Sequence, residues 1–455
     1  MKNKCLICLA LSALLLSGCA PAASVDDSFD EGEVSSAPEL TQDNLTFDVR
    51  VDWSRLEGER TDHRQPDVDG GRWYPEFTDR LIPREDYGPL IPYLGSLVYP
   101  YQRWENPTGE MQEYWYEVDA FYGLMTREGK IVVDPVYQSA DSYSYRWQGE
   151  ELALPVLILH CSDPAWAETD EERYAELYSR YAVAAENGRW ATDFEFLRYT
   201  NRGDQLLLAG PQGLTQLDSI TGSQKNWTWE DLGVREEEVS TTLNQIRWIY
   251  GLTWTDHGVL VGTAREETGD SSASARFRIF QPETGEISWV DEAQWGAWYH
   301  EHYDRERGQD WELIQEGNRV TLSFNGESYV ISDAPSGCWS AEVRNGLAIL
   351  RAGSGYQLRR LSDGELLLEG VSIEFIQDSV HPERLGCVSV RGNADHTVYD
   401  ADLSPILSLP QTGDGWLWFQ LRDNLLSYYD GTSRFGCWDF NAGRYIFYRN
   451  FYLGD

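Results

Sequence analysis

Phe280-Gln281-Pro282-Glu283-Thr284-Gly285 ends one apolar run and turns into the next, and turns of the same kind return at Asn325-Gly326, Asp363-Gly364, Asp402 and Ala442-Gly443. Successive turns lie roughly 40 residues apart, the length that four short antiparallel strands and their connections occupy in one blade of a β-propeller. Two earlier turns, Glu128-Gly129 and Thr221-Gly222, fit the series if the first blades carry insertions. The reading is an all-β, β-propeller-like chain of about seven blades.

The segments between the turns support it. Leu45, Phe47, Val49, Val51 and Trp53 alternate strictly with polar residues, the period of a half-buried strand. β-rich runs recur at Ile131–Val133, Leu152–His160, Gln205–Leu208, Val259–Gly262, Arg276–Phe280, Val320–Phe324, Leu347–Arg351, Leu366–Glu369 and Leu417–Leu421. One stretch reads differently. Thr169 followed by Glu172 makes a capping box, and Tyr174, Leu177, Tyr178, Tyr181, Ala182 and Ala185 fall at helical spacing before Gly188, which predicts an inserted amphipathic helix over about 168–187.

Two turns, Leu217 to Trp227 and Phe280 to Trp289, run strand, Thr-Gly, tryptophan. They resemble the blade turn of quinoprotein-type propellers, which implies a tryptophan packed between neighbouring blades and does not imply a bound quinone. The segment 121–137, Phe-Tyr-Gly-Leu-Met-Thr-Arg-Glu-Gly-Lys-Ile-Val-Val-Asp-Pro-Val-Tyr, resembles a WG repeat, with Tyr122 where the signature tryptophan stands. Tyr122, Ile131 and Val133 are expected to share one apolar face, with Gly129 in the turn and Pro135 ending the strand. A looser copy begins at Phe435-Gly436-Cys437-Trp438-Asp439. The resemblance implies a surface or envelope protein that binds partners, and it brings no catalytic residues.

The N-terminus speaks to location. Lys2 and Lys4 precede an apolar run from Cys5 to Leu16, and Leu16-Ser17-Gly18-Cys19 follows. This has the order of a secretory signal and resembles a bacterial lipobox. The resemblance implies a signal peptide over 1–18, lipidation of Cys19 and anchorage to the bacterial cell membrane, in an extracytoplasmic location. Residues 19–44 carry Asp26, Asp27, Asp30, Glu31, Glu33 and Glu39 with few large apolar groups, the composition of a flexible acidic tether. Residues 45–455 are then the propeller-like domain.

A formal charge of −38 sets the surface against nucleic acid and anionic headgroups and in favour of cations, basic peptides or neutral glycans. Cys161, Cys338, Cys387 and Cys437 show no close spacing, so they read as free, buried thiols. No phosphate loop, G-x-S-x-G elbow or HExxH stands in the chain, and no cofactor or metal is expected. His300-Glu301-His302 on a strand would point two imidazoles one way, and Asp67-Val68-Asp69-Gly70-Gly71 begins like a calcium loop. Neither has a complete ligand set, and both read as polar turns.

Aromatic residues make up 13% of the chain, with patches at Trp73-Tyr74, Trp104 to Trp115, Trp227 to Trp229, Trp295 to Tyr303 and Trp416 to Phe419. Most belong in strand interfaces; the remainder could stack on sugars. Two functions follow: a membrane-tethered binding or scaffold lipoprotein for a glycan or envelope protein, or a carbohydrate-active enzyme with acidic and aromatic groups in the propeller funnel. No catalytic residue is assigned.

Overall fold

The computed structural model describes residues 82–98, 101–105, 111–115, 119–162, 179–246, 252–265, 275–307, 311–410, 417–429 and 434–450. All belong to the larger of two units, Thr46–Asp455. Cys19, the tether, the strand expected at Leu45–Trp53 and the Asp67–Gly71 turn lie outside the described residues.

Among the described residues, eight antiparallel sheets of three or four strands follow one another in sequence. The first holds Leu90–Val98, Asp119–Thr126 and Ile131–Tyr137; the second, Ser139–Trp147, Glu150–Ser162 and Ser179–Ala185. The third runs Arg198–Arg202, Gln205–Gly210, Gly213–Asp218 and Gln224–Thr228, and the fourth Trp254–Thr255, Gly258–Arg265, Ala275–Phe280 and Ile287–Asp291. The fifth has Glu312–Glu316, Arg319–Phe324 and Glu327–Ile331; the sixth Cys338–Arg344, Leu347–Ala352, Gly355–Arg360 and Leu366–Gly370. Ser372–Ile376, Cys387–Arg391, Asp395–Tyr399 and Pro405–Pro410 form the seventh, and Trp418–Arg422, Leu425–Tyr429, Arg434–Asp439 and Arg444–Asn450 the eighth. A separate hairpin, Tyr101–Glu105 with Met111–Trp115, interrupts the first sheet.

The periodic turns take one place in this plan: each joins the last two strands of its sheet. Gly222, Gly285, Gly364 and Gly443 have φ of 72, 77, 73 and 63°, a region open to glycine at no steric cost. Each donates its N–H to the carbonyl four residues back, at 2.7 to 2.9 Å. Residues 163–178, which separate the last two strands of the second sheet in sequence, contain no glycine, so the sequence series passes over that sheet. The eight sheets are one more than the seven turns mark.

Where a sheet is covered on both faces, neighbouring residues of one strand serve different interfaces. Leu206 and Leu208 pack towards the second sheet with Val156 and Ile158, while Leu207 and Ala209 pack towards Val259, Val261 and Phe280 of the fourth. Ala348 and Leu350 join the fifth sheet; Ile349 joins the seventh. The helix Glu292–Arg307, started by Asp291 accepting the Gln294 N–H at 2.8 Å, lays Trp295, Trp298 and Tyr299 on the fourth sheet. The eighth sheet packs back on the first: Leu425, Phe435, Cys437, Ile446 and Phe447 meet Ile91, Tyr93, Leu94 and Met125 in one buried cluster.

Three expectations are corrected. The helix predicted over 168–187 is a strand where it is described, Ser179–Ala185. Ala182 and Ala184 face the first sheet and Val183 the third. A strand buried on both faces shows no alternation, and its alanines imitated a helix until packing overrode propensity. Pro135 does not end its strand; it lies inside Ile131–Tyr137, where the register slips between Tyr122/Leu124, the kind of irregularity that tolerates a missing N–H. A second slip, between Leu124/Met125, divides the expected apolar face, sending Ile131 to the eighth sheet and Val133 to the second.

The second sheet supplies the longest excursion. Its first two strands join through Gln148 and Gly149, both at positive φ (52 and 80°), a two-residue hairpin turn. Along this hairpin Tyr143 Oη reaches Asn201 of the third sheet at 2.9 Å, and the Gly149 N–H reaches Glu306 O at 3.1 Å. Arg344 of the sixth sheet holds Glu150 at 3.1 Å. Ser379, after the first strand of the seventh, accepts the Ala153 N–H at 2.8 Å. Gln420 of the eighth sheet donates to Ser142 O at 3.0 Å. One hairpin is thus gripped by four other sheets and the helix.

Candidate ligand cavity between the first and last sheets

Where the first, second and eighth sheets meet, they leave a cavity of about 400 Å³ lined by Tyr122, Asp141, Glu186, Trp418, Arg422 and Tyr429 among others. Its volume falls within the range of small-ligand sites. The two WG-repeat-like hairpins face one another beside it. Arg127, in the turn of the first, binds Asp439 of the second at 3.1 Å and Asp423 at 2.8 Å. Asp423 is held in turn by its own N–H, donated to buried Asp378 at 2.9 Å.

Arg422 forms the floor. Its guanidinium binds Glu186 at 2.8 Å through Nε and donates to the backbone oxygens of Tyr143 at 3.2 Å and Leu154 at 2.6 Å. The last residue of an eighth-sheet strand thereby ties both strands of the long hairpin to the end of the second sheet.

Aromatic rings form the walls. Tyr122 meets Phe435 edge-on, with centroids 6.4 Å apart. Trp418 stacks on Tyr429 at 6.1 Å and 28° and is 60% exposed, which leaves one face open to a ligand. Burial, Tyr429 and Asp141 together push the Tyr122 hydroxyl well above its ordinary pKa, so it stays protonated.

Asp141 is the unusual acid. Its side chain is exposed, yet the area it presents faces the cavity, deep among protein atoms. Burial raises its carboxyl above the usual value, against a hydrogen bond from Ser139. No arginine, lysine or histidine pairs with it among the described residues. Below its unfolded value of 3.8 the group is neutral in both states and costs nothing; the penalty for ionising it develops as pH rises from there to its raised folded value. Asp141→Asn is therefore expected to raise the thermal midpoint at pH 7 and leave it unchanged at pH 3. An equal shift at both pH values contradicts this.

The other sequence candidates do not gather here. His300 and His302 lie on the helix Glu292–Arg307, not a strand, so they point about 200° apart. His302 pairs with Glu306 at 3.1 Å, and Glu301 with His257 at 3.2 Å. Among the described residues no group of three His, Cys, Asp or Glu side chains could hold a metal, and no helix is long and apolar enough to cross a membrane. Trp227 packs on Phe280 of the next sheet at 4.9 Å, as the blade-turn resemblance implies; Trp289 instead covers Arg278 of its own sheet at 4.8 Å. Of the aromatic patches, the one ending at Phe419 contributes Trp418 and Phe419 to the cavity. Among the described residues Cys161, Cys338, Cys387 and Cys437 are buried and form no disulfide with one another, and burial pushes the Cys387 and Cys437 thiols up to about 12. Asp141, Glu186 and Arg422 carried no sequence signal, because their partners lie in distant parts of the chain.

No family model matches the chain, and no curated protein matches it. Solved structures that resemble it include a eukaryotic initiation factor (TM-score 0.31, 9% identity, 72% of this chain and 93% of that one). Apo AztD from Citrobacter koseri scores 0.24 at 9% identity over 80% of this chain and 95% of its own. BamB from Moraxella catarrhalis scores 0.22 at 10% identity over 69% and 91%. Scores this low leave function to be read from the chain's own residues.

Proposed function

We propose that the chain is a β-propeller-like binding or scaffold protein, lipid-anchored through Cys19 on the extracytoplasmic side of a bacterial cell membrane, that receives a protein or glycan ligand in the cavity between its first and last sheets. The described sheets follow one another in order, most of them covered on both faces although the fifth leaves Ile314 and Val330 exposed, and the first and last cover one another. That arrangement supports a ring, and it builds the cavity at the seam.

The state of the cavity's carboxylates favours binding over hydrolysis. Glu186 is engaged by Arg422 and Asp423 by Arg127. The influences on Asp141 are burial and Ser139, with no second carboxylate among them. Glycoside hydrolysis needs two carboxyl groups at a set separation, one to protonate and one to attack or activate water. The cavity offers one.

The test uses the purified chain. It is expected to retain a ligand from glycan arrays or envelope-protein pull-downs and to show no turnover on polysaccharides or aryl glycosides. Trp418→Ala should weaken retention about tenfold or more, as loss of a central aromatic anchor does, and Cys19→Ala should release the chain from the membrane fraction. Hydrolysis that disappears in Asp141→Asn would overturn the binding reading.

A further inference from the structure

We propose that the cavity binds an organic cation, an alkylammonium or guanidinium group, held among Tyr122, Trp418, Tyr429 and Phe435 with Asp141 as its counter-ion. This deepens the binding reading above and rests on it.

The first argument is charge. Two arginines, Arg127 and Arg422, line the cavity against three carboxylates, Asp141, Glu186 and Asp423. Both arginines are committed to the other two acids, so Asp141 is the carboxylate left without a counter-charge. Ionising it in place is disfavoured by its surroundings, and a bound cation removes that penalty.

The second argument is what the remaining polar groups are doing. A sugar needs donors and acceptors for several hydroxyls. Here the Gln420 amide donates to Ser142 O at 3.0 Å, and Tyr428 Oη shares a 2.9 Å hydrogen bond with Tyr445 Oη. Ser427 Oγ is engaged with Cys437 Sγ at 3.4 Å, and Arg422 spends its donors on the floor. Besides these committed groups the lining is chiefly aromatic ring area, with the Asp141 carboxylate beside it. Aromatic faces attract a cation within about 6 Å of the centroid, more strongly when it is desolvated. The chain's net charge of −38 adds long-range attraction of the same sign.

The cation could be a free amine or a lysine or arginine side chain of a partner, and the experiment separates them. The full chain is titrated with choline and with its neutral isostere 3,3-dimethylbutanol, following tryptophan fluorescence, with Trp418→Phe identifying the reporting ring. Choline is expected to bind at least tenfold more tightly than the isostere. Asp141→Asn should reduce choline affinity about tenfold and leave the isostere unchanged, and choline affinity should fall as pH is lowered through the Asp141 pKa. A basic peptide that displaces choline more tightly than free lysine or arginine places the cation on a polypeptide; equal or weaker displacement places it on a free amine. Equal binding of choline and its isostere, or choline binding indifferent to Asp141→Asn, overturns the cation proposal while leaving the binding reading standing. That reading fails separately, if the chain retains no ligand and turns over a glycan.

Discussion

Arg422→Met is expected to destabilise the chain by about 3 kcal/mol, near the lower end of what breaking a buried ion pair costs. The side chain is 10% exposed and its partner Glu186 22%, so Glu186 keeps some water and the upper end of the range does not apply. Methionine fills comparable volume, which separates charge from packing. It abandons one carboxylate and two backbone oxygens at once, those of Tyr143 and Leu154. Those oxygens belong to the two strands of the long hairpin, so the loss extends beyond the ion pair. Protection of hairpin amides from hydrogen exchange should fall together with the denaturant midpoint. Arg422→Lys should recover only part of the stability, because an ammonium cannot fork between Glu186 and two carbonyls. A variant as stable as the parent, with unchanged hairpin exchange, contradicts the role assigned to Arg422.

Phe447→Ala is the second large effect, expected at about 3 to 5 kcal/mol for a fully enclosed phenylalanine. Phe447 is 0% exposed, 5.0 Å from the Tyr93 ring of the first sheet and 5.9 Å from Phe435 beside it. The truncation opens a void at the seam between the two ends of the described chain. Loosening the seam also loosens the cavity wall formed by Phe435 and Tyr122, so ligand affinity should drop with stability. By contrast, Trp339→Ala, at a side chain 64% exposed on the sixth sheet, should change stability little. Equal costs at Phe447 and Trp339 would contradict the seam.

Much of the fold was legible because turns are local. The Thr-Gly, Asn-Gly, Asp-Gly and Ala-Gly pairs each report a backbone conformation that glycine permits, and the runs between them carry strand residues. The second sheet escaped that count because residues 163–178, between its last two strands, contain no glycine. Its hairpin closes with Gln148-Gly149 rather than an Asn-Gly or Asp-Gly pair. The predicted helix was placed in the wrong segment. Tyr181 to Ala185 is a strand enclosed on both faces, whereas the helix Glu292–Arg307 was announced by Asp291 as cap and by Trp295, Trp298 and Tyr299 at helical spacing. Those tryptophans were read as an aromatic patch instead.

The cavity was legible only in part. Trp418 and Tyr122 stood in segments already singled out, one for its rings and one for its resemblance to a repeat. Asp141 and Arg422 did not, since an aspartate early in a strand and an arginine at a strand end look like many others among the 75 acids and 37 bases of the chain. Their importance arises from the meeting of the second and eighth sheets, which no local pattern encodes.

The packing of the first sheet on the eighth is the central claim, and a double-mutant cycle on Tyr93 and Phe447 tests it most directly. Both rings are fully enclosed and lie 354 residues apart in sequence. Unfolding free energies are measured for the parent, Tyr93→Leu, Phe447→Leu and the double variant, so that losses private to each site cancel. If the first and eighth sheets pack together, the two changes are coupled by about 0.5 to 1.5 kcal/mol, the worth of an aromatic pair beyond the area it buries. Strict additivity would show that the two sheets do not meet, and would remove both the proposed ring and the cavity between them.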